Sequence, residues 1–415
     1  MDERPLRLTV TDDLRRSRLT VFFRFLLALP HIVFFWLWAG LVQYSVVLGW
    51  FWALITGALP EFLHRFHASW IRYGFHVGAY IHLVANPFPG FVGRSGYPVD
   101  LVLPLEPQRQ RRLTVLFRAV LALPVILLAG VLAGFAHGGL TFMWLAVGGG
   151  LAGSIAFLGW FAALARGRLT PGFRDAGAYA LGYAADAFAY VFLVYDRYPD
   201  SNPEALGPAW ALPEHPVRLE LADDGRRSRL TVFFRLLLAL PHLVWITLWA
   251  VPAILAAVAN WVVALVSGRP VTALHRFLRA YVRYAIHVLA FLLLVANPFP
   301  GFTGTRAYPV DVTLPDPERQ SRWTILFRLF LAIPAFVVAT AYSYALYTVG
   351  FLGWFAALVT GRMPMGMRNL GAVSLRYLAQ SYAYYLLLTE RYPNASPALA
   401  APPEPEPEPE LEPAF

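Results

Sequence analysis

Arg24-Phe-Leu-Leu-Ala-Leu-Pro30 returns as Arg118-Ala-Val-Leu-Ala-Leu-Pro124, Arg235-Leu-Leu-Leu-Ala-Leu-Pro241 and Arg328-Leu-Phe-Leu-Ala-Ile-Pro334. Each copy heads a long apolar stretch, so the chain reads as a tandem array of one unit in which every residue has three counterparts. Ahead of the signature lies a short alternating segment: Leu6 to Val10, Pro98 to Leu101, Pro216 to Leu221 and Pro309 to Val312. Period-two alternation with β-branched residues predicts strands. After the apolar stretch comes a tryptophan with a glycine seven positions on, at Trp50/Gly57, Trp160/Gly167, Trp261/Gly268 and Trp354/Gly361. These suit an interfacial anchor and a helix C-cap. A return helix then closes each unit near Pro87, Pro199, Pro298 and Pro393.

The composition is that of a membrane protein. Of 415 residues, 58% are hydrophobic and only 14% charged, where a soluble domain carries about a quarter. The net charge is +9 with no lysine, so every basic residue is arginine; this suggests GC-rich coding and a bacterial source. The arginines lie between apolar runs, which points to anionic lipid headgroups as partners and away from nucleic acid. With no cysteine, disulfides, thiolate metal sites and cysteine nucleophiles are excluded. The charged start and the long run from Leu19 do not read as a signal peptide.

Spacing predicts the number of crossings. Pro30 to Gly57 covers about 40 Å as helix, one generous span, with Pro30 at its start. The residues before it, including Arg18 and Arg24, are then expected in the interface with snorkelling guanidinium groups. Phe62 to Val84 is long enough to return. Two spans per unit make eight, an even number per unit that lets four strands emerge on one face and pair. The expected fold is a membrane all-α bundle of about eight transmembrane helices with a small extramembrane β-sheet.

The units divide as 1–104, 105–199, 216–315 and 316–393, with a proline-bearing linker at 200–215 and a disordered Pro/Glu tail at 394–415. Asn86 and Asn297, 211 positions apart, show that the first pair of units is repeated as the second. Unit two departs: Pro124 and Trp160 stand 36 positions apart, where Pro30 and Trp50 stand 20 apart. The extra residues form a glycine-rich insertion near 137–153. More arginines fall on the strand side than opposite, which predicts a multi-pass protein of the cell (inner, cytoplasmic) membrane with cytoplasmic termini. The acidic residues, also on the strand side, pull the net charge the other way.

Chemistry concentrates in the return helices. Arg276, Arg279, Arg283 and His287 fall on one helical stripe beside His275, and Arg65, Arg72 and His76 on its counterpart near His64 and His67. Aligned by their ends, the helices place His76, Asp186, His287 and Gln380 four residues after Arg72, Gly182, Arg283 and Arg376. Ionisable groups at membrane depth pair with one another or face water. The polar intramembrane seam is thus Arg72, His76, Asp186, Arg283, His287, Arg376 and Gln380. It is either a path for a proton, an anion or a lipid headgroup, or a set of bonds stitching the units together. The signature residues Arg24, Pro30, Arg118, Pro124, Arg235, Pro241, Arg328 and Pro334 occur in every unit and suit packing or phosphate anchoring. His31 and His242 read as helix-start residues rather than metal ligands.

No zincin, nucleophile-elbow, phosphate-loop or dinucleotide fingerprint is present, and neither cofactor nor metal is implied. The run Arg-Leu-Thr-Val-Phe-Phe-Arg with Leu-Ala-Leu-Pro-His, then Trp354 to Arg362, then Leu386 to Pro393, resembles the prokaryotic membrane family called domain of unknown function 4389. Units one and three depart at their ends, with Asn-Pro-Phe-Pro-Gly-Phe at Asn86 and Asn297. The resemblance implies an integral membrane protein and carries no functional residues. The leading expectation is a non-enzymatic scaffold that organises lipid or, through its strands and acidic tail, protein partners. A transporter or channel using the Arg/His seam competes with it, and a lipid-processing enzyme is a weaker alternative.

Overall fold

A computed structural model describes residues 5–134, 149–208 and 210–399. Most of the glycine-rich insertion, including Gly138, Gly139 and Gly148, and the tail from residue 400 on lie outside the described residues. The first residues of the expected disordered tail, 394–399, instead pack on the chain, with Ala395, Ser396 and Ala398 buried and bonded to Tyr342 and Arg376. The first stretch builds β1 (Arg7–Val10), the short helix α1 (Arg18–Phe22), the long helix α2 (Arg24–Thr56) and α3 (Glu61–Ile81). The second builds β2 (Val99–Val102), α4 (Arg112–Leu116), α5 (Arg118–Ala133), α6 (Gly150–Arg166) and α7 (Pro171–Val191), followed by the turn α8 (Pro203–Leu206). The third builds β3 (Arg218–Leu221), α9 (Arg229–Phe233), α10 (Arg235–Ser267) and α11 (Thr272–Leu292). The fourth builds β4 (Val310–Thr313), α12 (Arg322–Leu326), α13 (Arg328–Thr360) and α14 (Met365–Tyr385).

Long apolar helices surround buried polar ones. The return helices α3, α7, α11 and α14 share one core with the strands. Along α10, Leu236, Leu240, Val244, Leu248, Val251, Leu255, Val258, Val262 and Val266 are exposed at steps of three and four, a continuous apolar stripe facing outward. That reverses the pattern of a water-soluble amphipathic helix.

Among the described residues three helices, α2, α10 and α13, are long and apolar enough to cross a membrane. The expected eight spans are therefore not supported. The return helices have the length at 21 residues each, but arginines, histidines and hydroxyl-bearing residues dilute their apolar content. Length was the wrong criterion; composition decides. In the second stretch α5 and α6, of 16 and 17 residues, together equal the 33 of each other long helix. The insertion interrupts that helix without shortening it.

The strands also depart from expectation. They form two separate antiparallel pairs, β1 with β2 and β3 with β4, instead of one four-stranded sheet. Each pair packs on its own return helices, so each half of the chain closes its own ladder.

Within each half the stretches hold one another. Trp160 Nε1 donates to the Val21 carbonyl at 3.2 Å and Trp50 Nε1 to Val115 at 2.7 Å. Trp354 does the same to Val232 at 3.0 Å and Trp261 to Ile325 at 2.9 Å. Each acceptor belongs to the short opening helix of the neighbouring stretch. The signature glycines cap the long helices in the left-handed region, at φ +83°, +66°, +72° and +72° for Gly57, Gly167, Gly268 and Gly361. Their carbonyls accept from the N–H groups of Gln110, Arg16, Gln320 and Arg227 respectively, again across the stretches. The tryptophans are thus latches between stretches, half-buried and fully bonded.

Candidate functional site

The signature arginines are buried, not interfacial, and the signature prolines lie inside helices that begin at the arginines. Arg24 donates to the carbonyls of Tyr80 (2.6 Å) and Ala85 (3.1 Å) and to Asn86 Oδ1 (3.1 Å). Arg235 repeats this on Phe291, Ala296 and Asn297. Arg118 reaches Tyr190 and Tyr195 carbonyls and the Asp196 carboxylate (2.9 Å), and Arg328 the Thr389 carbonyl (3.3 Å). Each guanidinium also lies over an aromatic ring at 4.1–4.4 Å. The four arginines therefore add donors to the carbonyls at and just past the end of each return helix, where the helical ladder runs out.

The same ends carry a second grip, which the sequence reading missed. Each return helix ends in a left-handed leucine: Leu83, Leu193, Leu294 and Leu387, with φ of +60° to +64°. A leucine there is strained, so the turn has to be held from outside. Arg16, buried against Asp12 at 2.9 Å, donates to the Leu83 carbonyl, and Arg227, paired with Asp223 at 2.7 Å, to that of Leu294. Gln110 and Gln320 do this for Leu193 and Leu387. The signal was present as Asp-x-x-x-Arg just ahead of the opening helices α1 and α9.

The residues of the polar seam do not meet in one path. They divide into clusters, each closed by strand or backbone. Arg72 Nε donates to Asp100 Oδ1 (3.1 Å) and to the Leu101 carbonyl (3.0 Å), and His76 Nε2 lies 2.7 Å from the same carboxylate oxygen. In the second half Arg283 Nε donates to the Val312 carbonyl (3.1 Å) and lies 3.3 Å from Asp311 Oδ1, with His287 Nε2 at 3.0 Å. The rings of Tyr97 and Tyr308 cover the two histidines at 4.6 Å. Asp186 accepts from the Tyr195 hydroxyl. Arg376 donates to the carbonyls of Ser396 and Ala398, and Gln380 bridges Val217 and Asn394.

Burial pushes the Asp100 and Asp311 carboxyls up, but other contacts outweigh it. The histidine hydrogen bonds, the guanidinium groups and the N–H groups of Leu101 and Val312 hold both below the ordinary carboxylate range. These aspartates went unassigned in the sequence, although each sits in a strand, where aspartate is disfavoured, and each recurs in the paired copy.

Most of the remaining candidates also have local partners. His31 and His242 bond Tyr73 and Tyr284 hydroxyls at 2.8 and 2.7 Å. His67 lies between Ser45 Oγ (2.9 Å) and the Phe192 carbonyl (3.0 Å). Arg279 pairs with Asp316 at 2.8 Å, Arg65 with Glu61, and Arg276 is exposed. His275 Nε2 lies 3.4 Å from the Leu388 carbonyl, and His64 is buried. Among the described residues no group of acidic or histidine side chains could hold a metal ion.

The family described as domain of unknown function (DUF4389) matches residues 18–92, 229–303 and 322–396, together more than half of the chain. The chain belongs to the DUF4389 family. Each DUF4389 match begins at a short opening helix and ends just past the capped return helix, leaving the strands outside. The second stretch, with its interrupted long helix, is not among the matches. No curated protein and no solved structure matches the chain.

Proposed function

We propose that the protein is a non-enzymatic scaffold of the cytoplasmic membrane that organises lipids and partner proteins. The observation that carries this reading is the closure of the seam: Arg72, His76, Asp186, Arg283, His287, Arg376 and Gln380 each bond a strand, a neighbouring side chain or a backbone carbonyl. Three 33-residue helices that turn leucine, valine and phenylalanine outward support the membrane setting. The arginine bias supports anionic headgroups as contacts and a cytoplasmic position for the strands and termini, where the strands and the acidic tail are available to proteins. Nucleic acid is not a partner in this reading. The second stretch is a diverged fourth copy, as its two helices with a summed length equal to one long helix suggest.

A transporter or channel is the competing reading, favoured by two buried His–Asp pairs. Ion and proton flux across liposomes containing the purified protein decides between them, with wild type measured beside Arg283→Ala. The scaffold predicts no flux from either protein across a range of ions, pH and voltage. Flux that Arg283→Ala abolishes while the protein remains folded would replace the scaffold with transport.

A further inference from the structure

Each half of the chain contains a non-helical run that joins the two ends of one long helix. Asn86, at the start of the first run, accepts from Arg24, the first residue of α2, at 3.1 Å. At the far end of that run the Gln110 N–H donates to the carbonyl of Gly57, which caps α2. The second run repeats this, from Asn297 on Arg235 to Gln320 on Gly268, the two ends of α10. Each run holds one four-residue strand and no helix. Each nevertheless covers the length of a 33-residue helix, about 50 Å.

The strand-bearing part of each run lies across the return helix from the long helix. Trp70 and Tyr73 of α3 pack on Phe35 and His31 of α2, whereas Arg72 and His76 reach the other way, to Leu101 and Asp100. The second half shows how deep the run would lie. Trp249, near the middle of α10, packs on Phe277 and Tyr281, and Arg279 between them in sequence holds Asp316 at 2.8 Å. The Asp316 side chain is 90% exposed. If α10 crossed a bilayer, an exposed carboxylate and open backbone would stand at mid-depth in the hydrocarbon, where neither is tolerated. Length and composition allow α2 and α10 to cross, but the runs that tie their ends together do not.

The outward stripes of these helices call for a different placement. On α2 the stripe includes Leu26, Val33, Leu37, Leu41, Leu48 and Ile55, all exposed. Exposed arginines flank both ends of each helix: Arg18 and Arg112 beside α2, Arg229 and Arg322 beside α10. An exposed Leu19, Leu113, Leu230 or Trp323 follows each of them. Arginine beside apolar groups suits anionic headgroups above acyl chains, and not a second copy of a chain that itself carries +9. We propose that the protein docks on one leaflet of an anionic bilayer, with α2 and α10 lying in the membrane plane and the strands facing water. This deepens the membrane reading above and rests on it.

The chain has no cysteine, so Leu26→Cys, Leu41→Cys and Ile55→Cys each place a single nitroxide at the start, middle or end of the α2 stripe. The full chain is reconstituted in liposomes of phosphatidylcholine and phosphatidylglycerol, and depth is read from relaxation by oxygen against a nickel chelate. All three labels are expected at one depth, about 5–10 Å into the boundary between headgroups and chains. Ser17→Cys and Gln108→Cys, at exposed positions beside opposite ends of α2, should react with an impermeant maleimide from the same side of vesicles from expressing cells. A Leu41→Cys label about 15 Å deeper than the other two, as at the centre of a crossing helix, would overturn the proposal and leave the membrane reading intact. End cysteines that react from opposite sides would do the same. Release of the protein by alkaline carbonate, whether as single chains or as pairs joined by their apolar faces, would overturn both.

Discussion

A buried guanidinium is stable only where its donors are answered, and Arg227 makes the requirement concrete. It bonds Asp223 and the carbonyls of Leu294 and Val295. Arg227→Ala leaves the buried Asp223 carboxylate with only the Gly225 N–H and takes a donor from two carbonyls, and breaking a buried pair in this way costs about 3–5 kcal/mol. At the matching position the second and fourth stretches carry Gln110 and Gln320, which hold the same turn without an ion pair. Arg227→Gln combined with Asp223→Asn is therefore expected to recover more than half of the loss, read as the unfolding midpoint in detergent. If the double variant is as unstable as Arg227→Ala, the ion pair itself is what holds the turn. Little of this was legible beforehand. The repeated arginine was visible, but a buried arginine and a snorkelling one have the same sequence pattern, and only the carbonyls it reaches separate them.

Between elements, the contacts with consequences are those from the tryptophans to the opening helices. Trp354→Phe keeps most of the ring area and removes one hydrogen bond, which takes the indole donor from the Val232 carbonyl of α9; the expected cost is about 1–2 kcal/mol. Hydrogen exchange should show the loss first in α9 and then in α13. Uniform loss over the whole chain would mean that the latch is not local. The long helices, their glycine caps and the four strands were all readable from period and punctuation. The pairing of the strands was not. A four-residue strand carries too little pattern to choose its partner, and the choice here is made by the helices that deliver β1 beside β2 and β3 beside β4. Asp100 and Asp311 escaped for the same reason, because the helices they bond lie in register with them only once the ladder has formed.

Across the whole molecule, the junction between the halves adds a dependence on pH. His215 lies there, buried beside Val217 and near the charges of Arg376 and Arg391. Burial, which outweighs its backbone hydrogen bonds, lowers its pKa from 6.5 to about 4. The unfolded chain takes up the proton first, so stability rises with pH between about 4 and 6.5 and is lost on acidification through that window. His215→Gln should flatten this part of the stability profile while leaving the midpoint at pH 8 little changed. An unaltered slope would place the acid sensitivity elsewhere. The count of eight spans failed at this scale as well. A return helix rich in arginine reads as a crossing when only its length is considered, and in the fold it forms the interior that the apolar helices enclose.

The tryptophan latches also have a numerical consequence. A single stretch, taken alone, has an indole with nothing to hold and an opening helix with nothing holding it. Two stretches satisfy both needs at once, and a third would reopen them. Chains built on this plan are complete in even numbers, and one with an odd number has to borrow its missing half from another molecule.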